Sequence, residues 1–89
     1  MKGVSVEVAP TRSLVMGLLG VGRTTLWGYC KFFQEVLPLE FKYRDRQQVF
    51  TESQVSALKW LVRKKKQGYQ YPDLVDGIKR RGLPNEYDQ

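Results

Sequence analysis

The segment Leu18–Cys30, LLGVGRTTLWGYC, constrains the fold of this chain more than any other stretch. Two apolar-rich pieces are pinched around Gly20, Val21 and Gly22. Glycine reaches left-handed backbone without a side-chain clash, so Gly20 suits the end of a helix. Gly22 is an acceptable N-cap for the next helix, and Val21 between them would plug the turn into a core. The pattern predicts a helix, a tight turn, and a second helix that begins Arg-Thr-Thr.

Periodicity fills in both partners. Thr11 is a fair N-cap, and Leu14, Val15, Leu18 and Leu19 follow it at helical spacing. Within residues 23–36, Leu26, Tyr29, Cys30 and Phe33 fall at i, i+3, i+4 and i+7, one stripe to be buried. Arg23, Thr24, Trp27, Lys31 and Gln34 are left on the other side. Gly28 joins them there, where a missing side chain admits close approach of another backbone. Pro38 stops the helix.

After it, LEFKYRDRQQVF alternates Leu39, Phe41 and Tyr43, turns near Asp45 and Arg46, and returns through Val49 and Phe50. This reads as a β-hairpin over residues 39–50, with Arg44, Asp45 and Arg46 at its tip. Thr51 then caps a third helix, with Glu52 in its first turn and Val55, Leu58, Leu61 and Val62 facing inward. That helix ends at Gly68 after RKKKQ. A fourth carries Pro72 in its first turn, buries Leu74, Val75 and Ile78, and ends before Gly82. Trp60 is placed to close the seam between these last two helices.

Residues 3–8, GVSVEV, alternate valines as a half-buried strand does, so residues 1–10 are expected to form a strand or arm. Residues 83–89 read as a polar tail. The expected architecture is one domain over residues 1–89, mainly α with about four helices and a small β-hairpin wing. Its parts are a helix-turn-helix at 11–36, the wing at 39–50 and two further helices within 51–82.

Composition narrows the chemistry. The chain has no histidine and one cysteine, which argues against a structural zinc site and removes the commonest general base. Cys30 lies on the apolar stripe with no base supplied by the pattern, so it reads as a core thiol. Asp73 and Asp76 complement a helix N-terminus and imply no catalytic pair. No enzymatic activity and no cofactor are expected. The longest apolar stretch, Leu14–Val21, is broken by Gly17 and Gly20 and is too short to span a bilayer. The first ten residues lack the uninterrupted apolar core of a secretory signal. A cytoplasmic protein is expected, one that associates with the nucleoid in a bacterial or phage setting.

Fifteen Lys and Arg against nine Asp and Glu give a net charge of +6, which favours a polyanionic partner. Double-stranded DNA fits best, because the second helix of a helix-turn-helix enters the major groove and its N-terminal residues reach base edges. Arg23 and Thr24 are the first choices for base contact, and Lys31 and Gln34 for phosphate. Trp27 is counted with the DNA-binding candidates: it is expected to pack beneath the wing, with a wedge against a sugar or contact with a protein partner as alternatives. Arg44 and Arg46, with Lys42 on the same hairpin, serve phosphate or the minor groove. The basic runs Arg63–Lys66 and Lys79–Arg81 read as solvated helix ends. Membrane binding is not expected, and RNA is disfavoured because the strand pattern offers no aromatic stacking platform.

The order and spacing of these motifs resemble the DNA-binding domain of the MerR family, the mercury-resistance regulator type. Family members read G-V-S-x-x-T-L-R-Y-Y through the turn and recognition helix, then R-x-Y-[ST]-x-x-D-[VL] at the end of the wing. Gly20, Val21, Thr25, Leu26 and Tyr29 match the first motif, and Phe50, Thr51 and Val55 the second. Gly68, Tyr69 and Leu74 match the join between the last two helices, so the similarity covers residues 11–82. Gly22 stands in place of Ser, Trp27 of Arg, Gly28 of the first aromatic, and Gln48 of the wing Arg.

The resemblance implies a winged helix-turn-helix that acts as a transcription regulator. Family regulators continue into a long dimerising helix and an effector domain, whereas here seven residues follow Gly82. A monomer that assembles cooperatively on adjacent DNA sites is therefore expected, with the valines of residues 4–8 as an edge strand for pairing. The alternative roles are an excisionase-like recombination accessory or DNA-anchoring factor, and a protein-interaction module built on the same fold.

Overall fold

The computed structural model describes residues 10–44 and 47–84. The strand or arm expected before Pro10, the hairpin tip at Asp45 and Arg46, and the tail from Asn85 onward lie outside the described residues. Among the described residues there are four α-helices: α1 (Arg12–Leu19), α2 (Arg23–Val36), α3 (Glu52–Lys66) and α4 (Tyr71–Arg81).

Local chemistry explains where each helix starts and stops. The Thr11 side chain accepts the Leu14 N–H at 3.3 Å and opens α1. Gly20 closes it in the left-handed region, at φ 68 and ψ 35, with its N–H donating to the Met16 carbonyl. Gly22 is extended at φ −84, and α2 begins at the next residue. Thr51 and Gln54 form a reciprocal capping box on α3, and Gln70 and Asp73 form another on α4.

Helix α1 packs on α3, and α2 packs on both α3 and α4. The core they share is built from Val15 and Leu19, the α2 stripe Leu26–Cys30–Phe33, Leu58 and Leu61 of α3, and Leu74 and Ile78 of α4. Phe33 stacks on Phe41 with ring centroids 5.1 Å apart, and Phe32 stacks on Tyr71 at 4.4 Å. These ring pairs join α2 to the α2–α3 connection on one side and to α4 on the other.

One expectation is corrected. The β-hairpin wing over residues 39–50 is not formed: among the described residues there is no strand. An isolated antiparallel bridge joins Thr11 to Val49. The reason lies in where the backbone groups find partners. The Leu37 carbonyl accepts from Glu40 and Phe41, so the chain turns after α2 where the first hairpin strand was expected. The carbonyls of Lys42 and Tyr43 accept the side-chain amides of Gln54 and Gln34. On the returning side, the Gln48 carbonyl accepts from Arg12 and the Phe50 N–H donates to Pro10. Phe41 and Tyr43 are buried while Leu39 is 83% exposed, so the apolar alternation serves a loop laid over the core.

Helix α1 buries less than its four spaced apolar residues could offer. Val15 and Leu19 are buried in the core and Met16 packs against it half-buried, while Leu14 and Leu18 remain 53% and 54% exposed. In an eight-residue helix with one face against α3, the i, i+4 pair Val15 and Leu19 forms the buried centre of the contact.

Replacing Phe33 with Ala empties a fully buried ring site and should cost about 3–5 kcal/mol. Gln54→Ala should cost about 1–3 kcal/mol by leaving the Lys42 carbonyl and Thr51 N–H without their partner. Chemical denaturation of the two variants measures both, and an unchanged midpoint for Phe33→Ala contradicts this core.

Candidate nucleic-acid interface

The Gly20–Gly22 turn presents the start of α2 to solvent. Arg23, Thr24 and Thr25 are exposed, and Trp27 is 49% exposed, so the indole is not covered by the connection that follows. Lys31 is half-buried further along the helix. No side chain caps the α2 N-terminus, and no acidic residue occupies its first turn. The partial positive charge of that terminus therefore adds to Arg23 with no carboxylate in the first turn to oppose it.

Gln34 plays a different part. Its Nε2 donates to the Tyr43 carbonyl at 2.9 Å, tying the loop to the last turns of α2. Lys42 and Arg44 flank that tethered carbonyl and are exposed. The structure thus brings Lys42 and Arg44 beside the C-terminal half of α2, while Arg23 and Thr24 stand at the other end, about 16 Å away along the axis. Arg46 lies outside the described residues.

Arg12 was not legible as part of this arrangement. Its Nε and Nη2 donate to the Gln47 carbonyl at 3.1 and 2.9 Å, across 35 positions of sequence. It holds the returning segment against the start of α1, and no local pattern announces such a contact. Gln54 did carry a signal, the T-x-x-Q spacing of a capping box at Thr51. Its 2.9 Å hydrogen bond to the Lys42 carbonyl, which fixes the loop, carried none.

The basic end of α3 is built into aromatic surface. Lys64 Nζ lies 5.7 Å from the Trp60 ring centroid and 5.2 Å from that of Tyr69, and Lys65 Nζ lies 4.3 Å from that of Tyr71. Trp60 lines a pocket between α3 and α4 together with Leu74 and Ile78, at the seam where it was expected. Burial pushes the hydroxyls of Tyr29 and Tyr71 up, and the neighbouring Tyr29 raises Tyr71 further.

Cys30 is fully buried. Burial pushes its thiol up from the usual value of 9.0 to about 12, against the opposing pull of the Arg12 charge. Among the described residues no group of three His, Cys, Asp or Glu side chains is placed to hold a metal ion. No described helix is long and apolar enough to cross a membrane.

Compared with known proteins, the chain matches no family model, no curated protein and no solved structure.

A neutral thiol in the core has two measurable consequences. Iodoacetamide at pH 8 should leave Cys30 unmodified in the native protein and alkylate it after denaturation, as read by mass spectrometry. The unfolded thiol ionises near pH 9 and the folded one only near pH 12, so this contribution to stability is complete below pH 9. It should decline as pH rises from there, because the unfolded state then binds fewer protons than the native state. A Cys30→Ala variant should show a weaker alkaline decline in denaturation midpoint.

Proposed function

We propose that this protein binds double-stranded DNA with sequence preference, through the exposed face of α2, and acts as a transcription regulator. The observation that carries the reading is the α1–turn–α2 unit itself. Gly20 sits in left-handed backbone, α2 starts three residues later, and its first turn is exposed, acid-free and led by Arg23. A helix offered in this way enters the major groove with its N-terminal residues toward base edges.

In this reading the Arg23 guanidinium bridges guanine O6 and N7, and Thr24 meets a thymine methyl or a phosphate. Lys31, Lys42 and Arg44 contact the sugar–phosphate backbone and set the register. Lys42 and Arg44 do so from a loop tied to α2 by Gln34, not from a β-hairpin. The exposed indole of Trp27 lies on the same face of α2 as Arg23 and packs against a sugar edge. The resemblance to MerR-type DNA-binding domains supports the same role for α2, since its matched residues include the turn glycine Gly20 and the buried Leu26. A single recognition helix makes few contacts, so neighbouring copies on adjacent sites raise the affinity.

The test begins with selection of preferred sites from a random double-stranded library, followed by titration at several salt concentrations. Arg23→Ala should weaken the selected site by roughly 1–3 kcal/mol and relax the preference at one base pair. Arg44→Ala should weaken all sequences alike and reduce the salt slope by about one. An Arg23→Ala variant with unchanged affinity and unchanged preference overturns the assignment of α2 to the groove.

A further inference from the structure

Helices α3 and α4 each pack on α2, and between the two a cleft of about 250 Å³ remains. On α4, Leu74, Gly77, Ile78 and Arg81 fall at i, i+3, i+4 and i+7, so one helix face runs along it. Trp60 and Lys64 line it from α3, one turn apart, and Tyr69 lines it from the turn that follows. Leu74 and Ile78 are buried, which gives the cleft an apolar floor.

Gly77 is the informative residue. Glycine is the least favourable helix-interior residue apart from proline. A methyl group at Gly77 would meet no atom within 4 Å, so packing inside the protein does not call for glycine there. What the glycine preserves is the open width of the cleft.

We propose that this cleft binds a small aromatic acid, its fused rings against Leu74, Ile78 and the Trp60 indole and its carboxylate at Arg81. The proposal goes beyond DNA binding and does not rest on it.

Size, charge and ring electrons together select this occupant. A dry cavity of about 150 Å³ holds a benzene ring, and larger ligands occupy roughly 300–1,000 Å³. A cleft of about 250 Å³ falls between them and suits two fused rings. Lys64 Nζ stands 5.7 Å from the Trp60 ring centroid and 5.2 Å from that of Tyr69. Those contacts fix the ammonium, but the rings carry no net charge, so its field still reaches the cleft. Arg81 adds a second cation from the last turn of α4. The opposing carboxylate, Asp73, is engaged in the α4 cap, where it accepts the Gln70 N–H at 2.8 Å. An anion is therefore favoured over a cation. An aromatic body also brings a further negative π face to the Lys64 ammonium, which a saturated ring system lacks.

The experiment titrates the full ¹⁵N-labelled chain with naphthoate. Parallel titrations use neutral naphthamide, cationic naphthylmethylamine, saturated decahydronaphthoate and a short DNA duplex. Saturable shifts with naphthoate should cluster on the Trp60 indole N–H and the Gly77 and Ile78 amides, with half-saturation at about 1 mM or below. Naphthamide and decahydronaphthoate should each bind about threefold more weakly, and naphthylmethylamine about tenfold. Gly77→Leu places a good helix former on α4 and fills the cleft with its side chain. It should hold or raise the melting temperature while weakening naphthoate at least about tenfold. Arg81→Gln should weaken naphthoate about tenfold and leave naphthamide unchanged. Gly77→Leu should leave DNA affinity unchanged, and Arg23→Ala should leave naphthoate affinity unchanged, so each reading fails on its own. The proposal is overturned by no saturable binding, by equal binding of the cationic companion, or by full naphthoate affinity in Gly77→Leu. A DNA duplex that shifts the same resonances and displaces naphthoate assigns the cleft to phosphate contact and overturns it too. The companion ligands act on the unaltered protein, so the outcome is decided even where a variant fails to fold.

Discussion

The buried carboxamide of Gln54 holds the polar frame of this small protein together. It is 5% exposed, and its oxygen accepts the Thr51 N–H at 3.0 Å and the Gln47 amide at 2.9 Å. Its nitrogen donates to the Lys42 carbonyl at 2.9 Å. Those three bonds start α3, fix the loop ahead of it and orient Gln47. Gln47 then reaches the Val49 carbonyl and the Arg44 N–H, while its own carbonyl receives Arg12 from α1. A buried amide is costly without partners, so this network permits little sliding of the loop against the helices. With Gln34 holding the Tyr43 carbonyl, the positions of Lys42 and Arg44 relative to α2 follow from it.

That dependence explains what the sequence did and did not disclose. Helix ends were legible because their causes are local: Thr11, Gly20, Thr51, Pro72 and Gly82 each act within a turn of the boundary they mark. The buried face of α2 was legible for the same reason, since Leu26, Cys30 and Phe33 recur at the helical period. The connection between α2 and α3 was not. Alternation of Phe41 and Tyr43 shows only that every second side chain turns inward, and a strand and an extended loop satisfy it equally. What separates them is the destination of the carbonyls, and that was decided by Gln34 and Gln54, nine and twelve residues away.

The candidate site divides along the same line. Exposure of Arg23, Thr24 and Trp27 follows from helical geometry opposite an apolar stripe, and periodicity alone places it. Gln34 lies on that face by counting, yet its amide is held by the Tyr43 carbonyl, a partner that periodicity cannot name. On α1 helical spacing alone does not decide burial. Four apolar residues at helical spacing describe a wide stripe, but a helix of two turns against one neighbour buries only Val15 and Leu19. The surplus apolar surface became a feature of the exterior.

The net charge of +6 is therefore not one undifferentiated field. Arg12 is bound to Gln47, and Lys64 and Lys65 lie on aromatic rings, so their positions are explained by the fold itself. At the head of α2, Arg23 stands among hydroxyls and the positive end of a helix, surroundings that suit a rigid polyanion read by hydrogen bonds. Along α3, Lys59, Arg63 and Lys66 border exposed Leu18 and half-buried Val62, surroundings unlike those of Arg23. Coulomb attraction treats these two sets of cations alike at long range, and salt screens both. Selectivity between anionic partners must then come from what lies between the charges. Hydrogen-bonding groups distinguish the first surface, and an apolar floor distinguishes the second.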